Sequence, residues 1–156
     1  YYHVVFTLPQ ELNGLAISQP QLIYKALFEA AWATLNQFGK TEGLQLGMIG
    51  VLHTWGQNLS LHPHLHCIVP GGGLTMQGKW RKKVRTDKFL FPVKALSKVY
   101  RAKFVALLRT SGVKDSNLMD KLFSKNWVVY AKRPFGGPKQ VIEYLGRYTH
   151  SPRWIF

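Results

Sequence analysis

The segment from His62 to Val69, with the sequence His-Pro-His-Leu-His-Cys-Ile-Val, constrains the fold of this chain more than any other. If residues 64–69 form a β-strand, His64 and His66 lie on one face and Leu65 on the other, because side chains alternate between the two faces of a strand. Two imidazoles on the same face can converge on one cation. We therefore expect a sheet that carries a metal site on one face.

A metal ion held by protein groups alone needs a third ligand, and two residues upstream are candidates. His53 lies eleven residues before His64, near the end of an apolar segment, residues 46–55, that we expect to be a strand. Strand, loop and strand in succession favour an antiparallel pair, which would place His53 beside His64 and His66. Gln57 is the alternative third ligand, because a carboxamide oxygen suits a hard cation.

The remaining coordinating groups of this region are less well placed. His62 precedes a proline in a bend, so we expect it to be a neighbour of the site and not a ligand. Three imidazoles with an open position suit zinc. Cys67 faces away from His66 on the same strand, which argues against a structural zinc site and favours an open catalytic one. The alternative is that the histidines of the strand are buried hydrogen-bonding groups.

Charge indicates the kind of partner. Twenty-one Lys and Arg against seven Asp and Glu give a net charge of +14, which on a small domain indicates a polyanion. Nucleic acid is favoured over a membrane surface, since the basic residues are dispersed among aromatics and neither terminus is strongly amphipathic and basic. No apolar run approaches the ~18 residues of a membrane-spanning helix, so no such helix is expected. The alternative is a generically basic protein. The single cysteine excludes an internal disulfide and fits a reducing cytoplasm.

The length of 156 residues suits one domain. Because the sequence starts without Met and on an expected strand, we expect a fragment of a longer protein. The patterns predict an α+β domain with a mostly antiparallel sheet of four or five strands and helices on one side. The predicted strands are residues 1–7, 46–55, 64–69 and 127–131. The predicted helices are residues 21–38, 93–108, 116–123 and 138–148, with Gly39 as the stop of the first and Ser116 as the N-cap of the third; residues 11–20 and 58–63 are predicted loops.

A short basic hairpin arm is predicted over residues 78–84. Its cations Lys79, Arg81, Lys82 and Lys83 are candidates for contact with DNA, as are Lys139 and Arg147 of the helix predicted over residues 138–148. The alternative is a solvated surface loop.

Two tyrosines near the end of the chain could supply a nucleophile. Tyr144 and Tyr148 are four residues apart on a predicted helix, so both hydroxyls leave the same face. Tyrosine is a poor nucleophile while neutral, but it becomes useful where a metal polarises the electrophile and cations such as Lys139 and Arg147 favour the phenolate. The alternative is an aromatic stripe that packs on the sheet. Metal, tyrosine and basicity together indicate phosphodiester transfer, and the seven acids offer no close pair for a two-metal nuclease.

These residues resemble the motifs of the HUH endonucleases, which are named for histidine, hydrophobe, histidine, here His64-Leu65-His66. The closer likeness is to the two-tyrosine rolling-circle transposases of the insertion-sequence-91 type. The resemblance covers nearly the whole chain and rests on residues 3–9, 51–57, 62–73, 89–93 and 144–150.

The resemblance implies a ferredoxin- or RRM-like sheet with flanking helices. It also implies cleavage and rejoining of single-stranded DNA, at mobile-element ends and target, through a 5′-phosphotyrosine intermediate. Tyr144 and Tyr148 would be the nucleophiles, and His64 and His66 the ligands of Mg²⁺ or Mn²⁺. Related relaxases take a third histidine at a spacing like that of His53. Such a transposase would act on bacterial DNA in the cytoplasm.

The chain departs from the family at both ends. The family motif runs well beyond the equivalent of Thr149-His150, and a zinc-binding N-terminal segment is typical, so a catalytic-domain fragment is again expected. Two alternatives stay open. One is an inactive relative that only binds single-stranded DNA, with Trp55, Trp80 and Trp127 stacking on bases. The other is a replication initiator or relaxase with the same chemistry.

Overall fold

The computed structural model describes residues 1–56, 58–83, 90–132 and 135–148, with the backbone alone for the last residue. Within these ranges the chain forms six strands, five α-helices and one 3-10 turn. In chain order they are β1 (Tyr2–Thr7), the 3-10 turn (Gln10–Leu12), α1 (Asn13–Ser18), α2 (Pro20–Thr41), β2 (Ile49–Trp55), β3 (Leu61–Val69), β4 (Gly72–Leu74), β5 (Trp80–Lys82), α3 (Val93–Thr110), α4 (Ser116–Ser124), β6 (Val129–Lys132) and α5 (Pro138–Tyr148). No helix in the described ranges is long and apolar enough to cross a membrane.

Four strands form one antiparallel sheet in the order β2-β3-β1-β6. With α2 between β1 and β2 and α3 between β3 and β6, the sheet has the β-α-β-β-α-β topology of ferredoxin-like folds. The predicted α+β class with a mostly antiparallel sheet is confirmed. β1 lies in the middle of the sheet, where Val5 is opposite His66 of β3 on one side and Tyr130 of β6 on the other.

One face of the sheet carries the hydrophobic core. Val4 and Phe6 of β1 alternate with residues that face the other side of the sheet. They are buried together with Leu65 and Cys67 of β3 beneath α2 and α3. Tyr100 of α3 is fully buried there and donates a hydrogen bond of 3.2 Å to a backbone carbonyl of β1. Burial of these aromatic and aliphatic side chains supplies the main stabilisation of the domain.

The opposite face, here called the histidine face, follows from the same alternation. It carries His3 of β1, His53 of β2, and His64 and His66 of β3. Helix α5 lies against this face, since Tyr144 contacts two of these histidines. The prediction that all helices lie on one side of the sheet is therefore wrong for α5.

The predicted loop over residues 11–20 is wrong, because the chain there forms the end of the 3-10 turn and helix α1. Leu12 and Ala16 are buried in the core, and this packing outweighs the turn signal of Asn13-Gly14. The loop predicted over residues 58–63 is shorter than expected, because strand β3 already begins at Leu61.

The start of β3 and the N-cap of α4 also differ from the sequence-based expectation. Strand β3 begins at Leu61, which pairs with Trp55 beyond a register shift in β2. Helix α4 is capped by Asp115 and not by Ser116, because the Asp115 carboxylate accepts a hydrogen bond of 3.0 Å from the amide of Leu118.

Gly39 does not stop helix α2, which continues to Thr41. A Cβ added at Gly39 would lie 2.6 Å from Leu46 Cγ and 2.9 Å from the carbonyl oxygen of Leu44, so glycine is needed for close approach. We expect Gly39→Ala to lower the free energy of unfolding by about 1–3 kcal/mol, as overpacking does. Gly14→Ala is the matched control, since nothing lies within 4 Å of its added Cβ. Urea unfolding measures both variants, and a neutral Gly39→Ala would contradict the tight contact.

Strands β4 and β5 form a separate two-stranded ribbon, which overlaps the basic hairpin arm predicted over residues 78–84. Gly78 adopts φ +71° in its turn, a conformation that favours glycine. The last residue of the predicted arm, residue 84, lies outside the described part of the chain.

The ribbon is fastened to the end of α2 by its cations. Arg81 donates a hydrogen bond to the backbone carbonyl of Glu42, and Lys83 forms an ion pair of 3.4 Å with the Glu42 carboxylate. The Lys83 ammonium also lies 4.3 Å from the centre of the Phe91 ring. Arg81 and Lys83 therefore hold the ribbon in place.

Candidate active site

Three histidines of strands β2 and β3 form a candidate metal site. His53 and His64 are opposite each other in the antiparallel pair, and His66 lies two residues further along the same face. One ligand atom from each lies within 4.8 Å of the others. Two nitrogens bound to one ion lie up to about 4 Å apart, since each metal–nitrogen bond is about 2.1 Å. A small rotation of the side chains would therefore bring the three nitrogens to the spacing that one bound cation requires.

The backbone fixes the orientation of His64. Its Nδ1 lies 2.6 Å from the carbonyl oxygen of His62, and because a carbonyl only accepts hydrogen bonds, the proton is on Nδ1. Nε2 of His64 then carries the lone pair that a metal requires. The His62 side chain itself is exposed. The structure thus places His62 as a neighbour that orients His64 through its main chain.

Burial keeps these imidazoles neutral at physiological pH. Burial, assisted by the nearby His64, lowers the pKa of His53 from 6.5 to about 4. Burial and the neighbouring His53 and His3 lower the pKa of His66 to about 2. The pKa of His64 is also lowered, mainly by burial. Neutral imidazole is the form that binds metal ions.

Helix α5 brings a tyrosine hydroxyl to the histidines. Tyr144 Oη lies 2.7 Å from Nδ1 of His66 and 3.1 Å from Nε2 of His3. Its ring packs against Phe135, with 5.4 Å between ring centres. The sequence-predicted nucleophile and the sequence-predicted metal ligands therefore meet, although they are 78 residues apart in the chain.

Two predicted site residues cannot be placed in the same way. Tyr148 follows Tyr144 by one helical turn on α5, and its side chain lies outside the described part of the structure. Gln57, the alternative third ligand, also lies outside the described residues.

His3 is a site residue that the sequence reasoning missed. It lies on the histidine face of β1, is 3% exposed, and has its Nε2 2.7 Å from Nδ1 of His66. Burial and the charge of Lys132, its partner on β6, lower the pKa of His3 to about 4. Alternation within residues 1–7 separates His3 from the core residues of that strand. Its proximity to His66 depends on the pairing of β1 with β3, which the local pattern does not reveal.

The lowered pKa values predict acid sensitivity of the metal-free fold. From pH 6.5 down to about pH 4, unfolded His3 and His53 bind protons that the folded residues do not, and His66 extends this window to about pH 2. Stability is therefore lost as the pH falls below 6.5. We expect the midpoint temperature of thermal unfolding, measured in chelator, to be lower at about pH 5 than at about pH 7. The difference between the two pH values should be smaller in the His3→Gln variant. A constant midpoint in the wild-type protein would contradict neutral, buried histidines.

The predicted DNA-contacting cations differ in their freedom to bind. Lys79 and Lys82 of the ribbon are exposed, as are Lys139 and Arg147 of α5. Arg81 is exposed but hydrogen-bonded to the main chain, and the Lys83 side chain is 14% exposed.

Of the three tryptophans considered for base stacking, two are accessible. Trp55 and Trp80 are 60% and 59% exposed. Trp127 is buried in the core against Tyr100 and Phe104, so a stacking role for Trp127 is wrong. Its indole N–H donates to the carbonyl of Leu122, which satisfies the buried polar group.

Comparison with known proteins identifies the family. Residues 47–153 match the family model Y2_Tnp, described as "Putative transposase". The chain is 39% identical to "Putative transposase y4qJ" of Sinorhizobium fredii over 96% of its length, and 30% identical to "Transposase for insertion sequence element IS801" of Pseudomonas savastanoi pv. phaseolicola over 97%. It spans 42% and 39% of these two proteins, about two fifths of their length.

Solved structures share the fold. A conjugative relaxase, TrwC, complexed with a 27-mer DNA that comprises a recognition hairpin and a cleavage site, matches with a TM-score of 0.53 at 16% identity, over 99% of this chain and 61% of that one. A metal-bound structure of the same relaxase with origin DNA gives 0.52 at 15% identity, over 99% and 59%. The chain therefore belongs to the Y2_Tnp family of putative transposases and has the fold of the conjugative relaxase TrwC.

Proposed function

We propose that this chain cleaves and rejoins single-stranded DNA, with Tyr144 as the nucleophile and with a divalent metal ion held by His53, His64 and His66. The observation that carries the proposal is the distance of 2.7 Å between Tyr144 Oη and His66 Nδ1. His66 of the candidate metal site thus contacts the hydroxyl of Tyr144, which lies on the separate helix α5. An aromatic stripe that only packed on the sheet would not require this polar contact.

The chain's own residues account for binding and attack. His66 holds Tyr144 Oη in place, and Tyr144 Oη attacks the scissile phosphorus while the bond to the 3′ oxygen breaks. The products are a 5′-phosphotyrosine and a 3′-hydroxyl, and the reverse attack by a 3′-hydroxyl rejoins a strand. A bound cation would withdraw negative charge from the phosphate oxygens. Three imidazoles fit Mn²⁺, a first-row transition metal, better than Mg²⁺, which prefers oxygen ligands.

A second nucleophile is proposed for the second strand transfer. Tyr148 is four residues after Tyr144 on α5, a spacing at which two positions lie on the same side of a helix. Two tyrosines on one helix would permit two successive transfers without release of the DNA. The proposed substrates are the mobile-element ends and a target strand.

The exposed cations would follow the phosphate backbone. Lys79, Lys82, Lys139 and Arg147 are exposed on two different elements, and the net charge of +14 attracts a polyanion. Arg81 contributes positive charge at the ribbon, whereas Lys83 serves mainly to fasten it.

Trp80 is the residue of the ribbon best suited to stack on an unpaired base. A Cβ added at Gly72 would lie 3.0 Å from its ring, and the Trp80 side chain is 59% exposed. Trp80→Ala is expected to weaken binding of single-stranded DNA by about tenfold, as the loss of one stacked base does. Trp32→Ala on α2 is the matched control. Fluorescence anisotropy measures both, and equal affinities would remove Trp80 from the DNA site.

The proposal is tested by a search for the covalent adduct. Purified protein is incubated with 3′-labelled single-stranded oligonucleotides of random sequence, with Mn²⁺ or with chelator, and separated under denaturing conditions. We expect a slow-migrating protein–DNA band that requires Mn²⁺ and is absent from a Tyr144→Phe, Tyr148→Phe double variant. Salt-sensitive binding without any adduct would instead indicate an inactive DNA-binding relative. An adduct of equal yield in the double variant would refute the nucleophile assignment.

A further inference from the structure

We propose that Lys132 is a catalytic residue that binds the scissile phosphate from the side opposite the metal site and stabilises the charge that develops there as Tyr144 attacks. This inference rests on the proposed function and adds a second cation to the site. Lys132 is not among the cations that the sequence patterns single out.

The pairing of β6 with β1 places Lys132 on the histidine face. Lys132 lies directly opposite His3 in this antiparallel pair. Two residues in such positions point to the same face of the sheet, with their Cβ atoms about 5 Å apart. After burial, the charge of Lys132 contributes most to the lowered pKa of His3, and it also contributes, behind burial and the neighbouring histidines, to that of His66. The charge therefore acts on the same two imidazoles that contact Tyr144 Oη.

The order of the strands puts Lys132 and the metal site on opposite sides of the nucleophile. The candidate metal ligands lie on β2 and β3, whereas Lys132 lies on β6, beyond β1. Tyr144 Oη lies between them, 2.7 Å from His66 Nδ1 of β3 and 3.1 Å from His3 Nε2 of β1. Neighbouring strands are about 4.8 Å apart, a distance that the four-carbon stem of a lysine spans. A phosphate placed for attack by this oxygen would have the metal site on one side and Lys132 on the other.

The surface around Lys132 is accessible to DNA. The Lys132 side chain is exposed, and Tyr130, two residues earlier on the same face of β6, is 56% exposed. Helix α5 therefore leaves this edge of the histidine face open. Among the residues that the structure describes, no carboxylate forms an ion pair with Lys132, whereas Lys83 of the ribbon is paired with Glu42. An exposed cation in this position suits an anionic ligand.

The ammonium group of Lys132 would act on the charge of the transition state. While Tyr144 Oη bonds to phosphorus and the bond to the 3′ oxygen breaks, negative charge develops on the oxygens of the phosphate. Lys132 donates a hydrogen bond to a non-bridging oxygen and stabilises this charge, as lysine, arginine and metal ions do in phosphoryl transfer. No proton moves to or from Lys132, so it serves cleavage and rejoining alike.

The test removes the charge at position 132 and restores it chemically. The Lys132→Cys variant is alkylated with 2-bromoethylamine, which rebuilds an ammonium group on a side chain of similar length, or with iodoacetamide, which adds a neutral amide. Cys67 is fully buried, and mass spectrometry checks that each variant carries a single added group. Lys98→Cys, treated in the same two ways, is the matched control, because Lys98 is exposed on α3, which packs on the core face.

Adduct formation is measured under single-turnover conditions with saturating Mn²⁺ and saturating oligonucleotide pool, and anisotropy gives the DNA affinity in chelator. We expect the neutral amide at position 132 to slow adduct formation by about 100-fold and to weaken DNA binding by about tenfold at most. The ammonium derivative at the same position should return the rate to within about tenfold of wild type. Both derivatives of Lys98→Cys should react at the wild-type rate.

Equal rates for the two derivatives of Lys132→Cys would overturn the inference, because the charge at position 132 would then have no role. A loss of DNA affinity with an unchanged rate at saturating DNA would also overturn it and leave Lys132 as a cation that only attracts DNA. If the wild-type protein forms no adduct, the proposed function itself fails, and the role of Lys132 fails with it.

Discussion

Tyr144→Phe is expected to reduce the rate of the first covalent adduct by at least about 1,000-fold, because the nucleophilic oxygen is removed. The phenyl ring can keep the edge-on contact with His3, at 4.8 Å between ring centres, and the contact with Phe135 at 5.4 Å. The fold and the affinity for single-stranded DNA should therefore be retained. Rapid-quench kinetics with denaturing electrophoresis measure the rate, and circular dichroism checks the fold.

Tyr24→Phe is the matched control for loss of a hydroxyl. Tyr24 lies on α2, which packs on the core face of the sheet, away from the histidine face. Its variant should form the adduct at the wild-type rate. If Tyr144→Phe also does so, attack by Tyr144 is refuted, and Tyr148 takes its place as the first nucleophile.

His53→Ala is expected to lower the affinity for Mn²⁺ by more than about 100-fold, since even the outer partners of metal ligands contribute up to that much. His53 is preferable to His66 for this test, because His66 also contacts Tyr144. Adduct formation at limiting Mn²⁺ should decrease with the affinity, and excess Mn²⁺ should partly restore it. Isothermal titration calorimetry measures the affinity directly.

His62→Ala provides the comparison for the metal site. Its exposed side chain contributes an imidazole close to the cluster, with 5.3 Å between the His62 and His64 rings, yet only its main chain orients a ligand. The Mn²⁺ affinity of this variant should stay close to wild type. Unchanged affinity in His53→Ala would mean that the third ligand lies elsewhere, and Gln57→Ala would then be the variant to measure.

The sequence was sufficient for the parts of the site that depend on local pattern. Alternation along β3 separates His64 and His66 from Leu65, and a short connection makes β2 its antiparallel neighbour, so the position of His53 follows. Helix α5 has the predicted bounds, because Pro138 suits the first turn of a helix.

The parts that depend on long-range packing could not be obtained in this way. His3 reaches His66 only because β1 enters the sheet beside β3, and α5 covers the histidine face where the patterns placed helices on one side. Helix α1 forms because Leu12 and Ala16 find a core to pack against. Burial of Trp127 has the same origin, since its contacts come from α3.

The most direct test of the account is to locate the DNA on the protein. Trypsin cleaves after Lys139, Arg147 and Arg153, so it separates the two tyrosines into the peptides 140–147 and 148–153. The adduct formed in Mn²⁺ is digested with nuclease and trypsin and analysed by tandem mass spectrometry. Attack by Tyr144 predicts a nucleotide mass on peptide 140–147, assigned to Tyr144. A nucleotide mass on neither peptide, or on 148–153 alone, would contradict it.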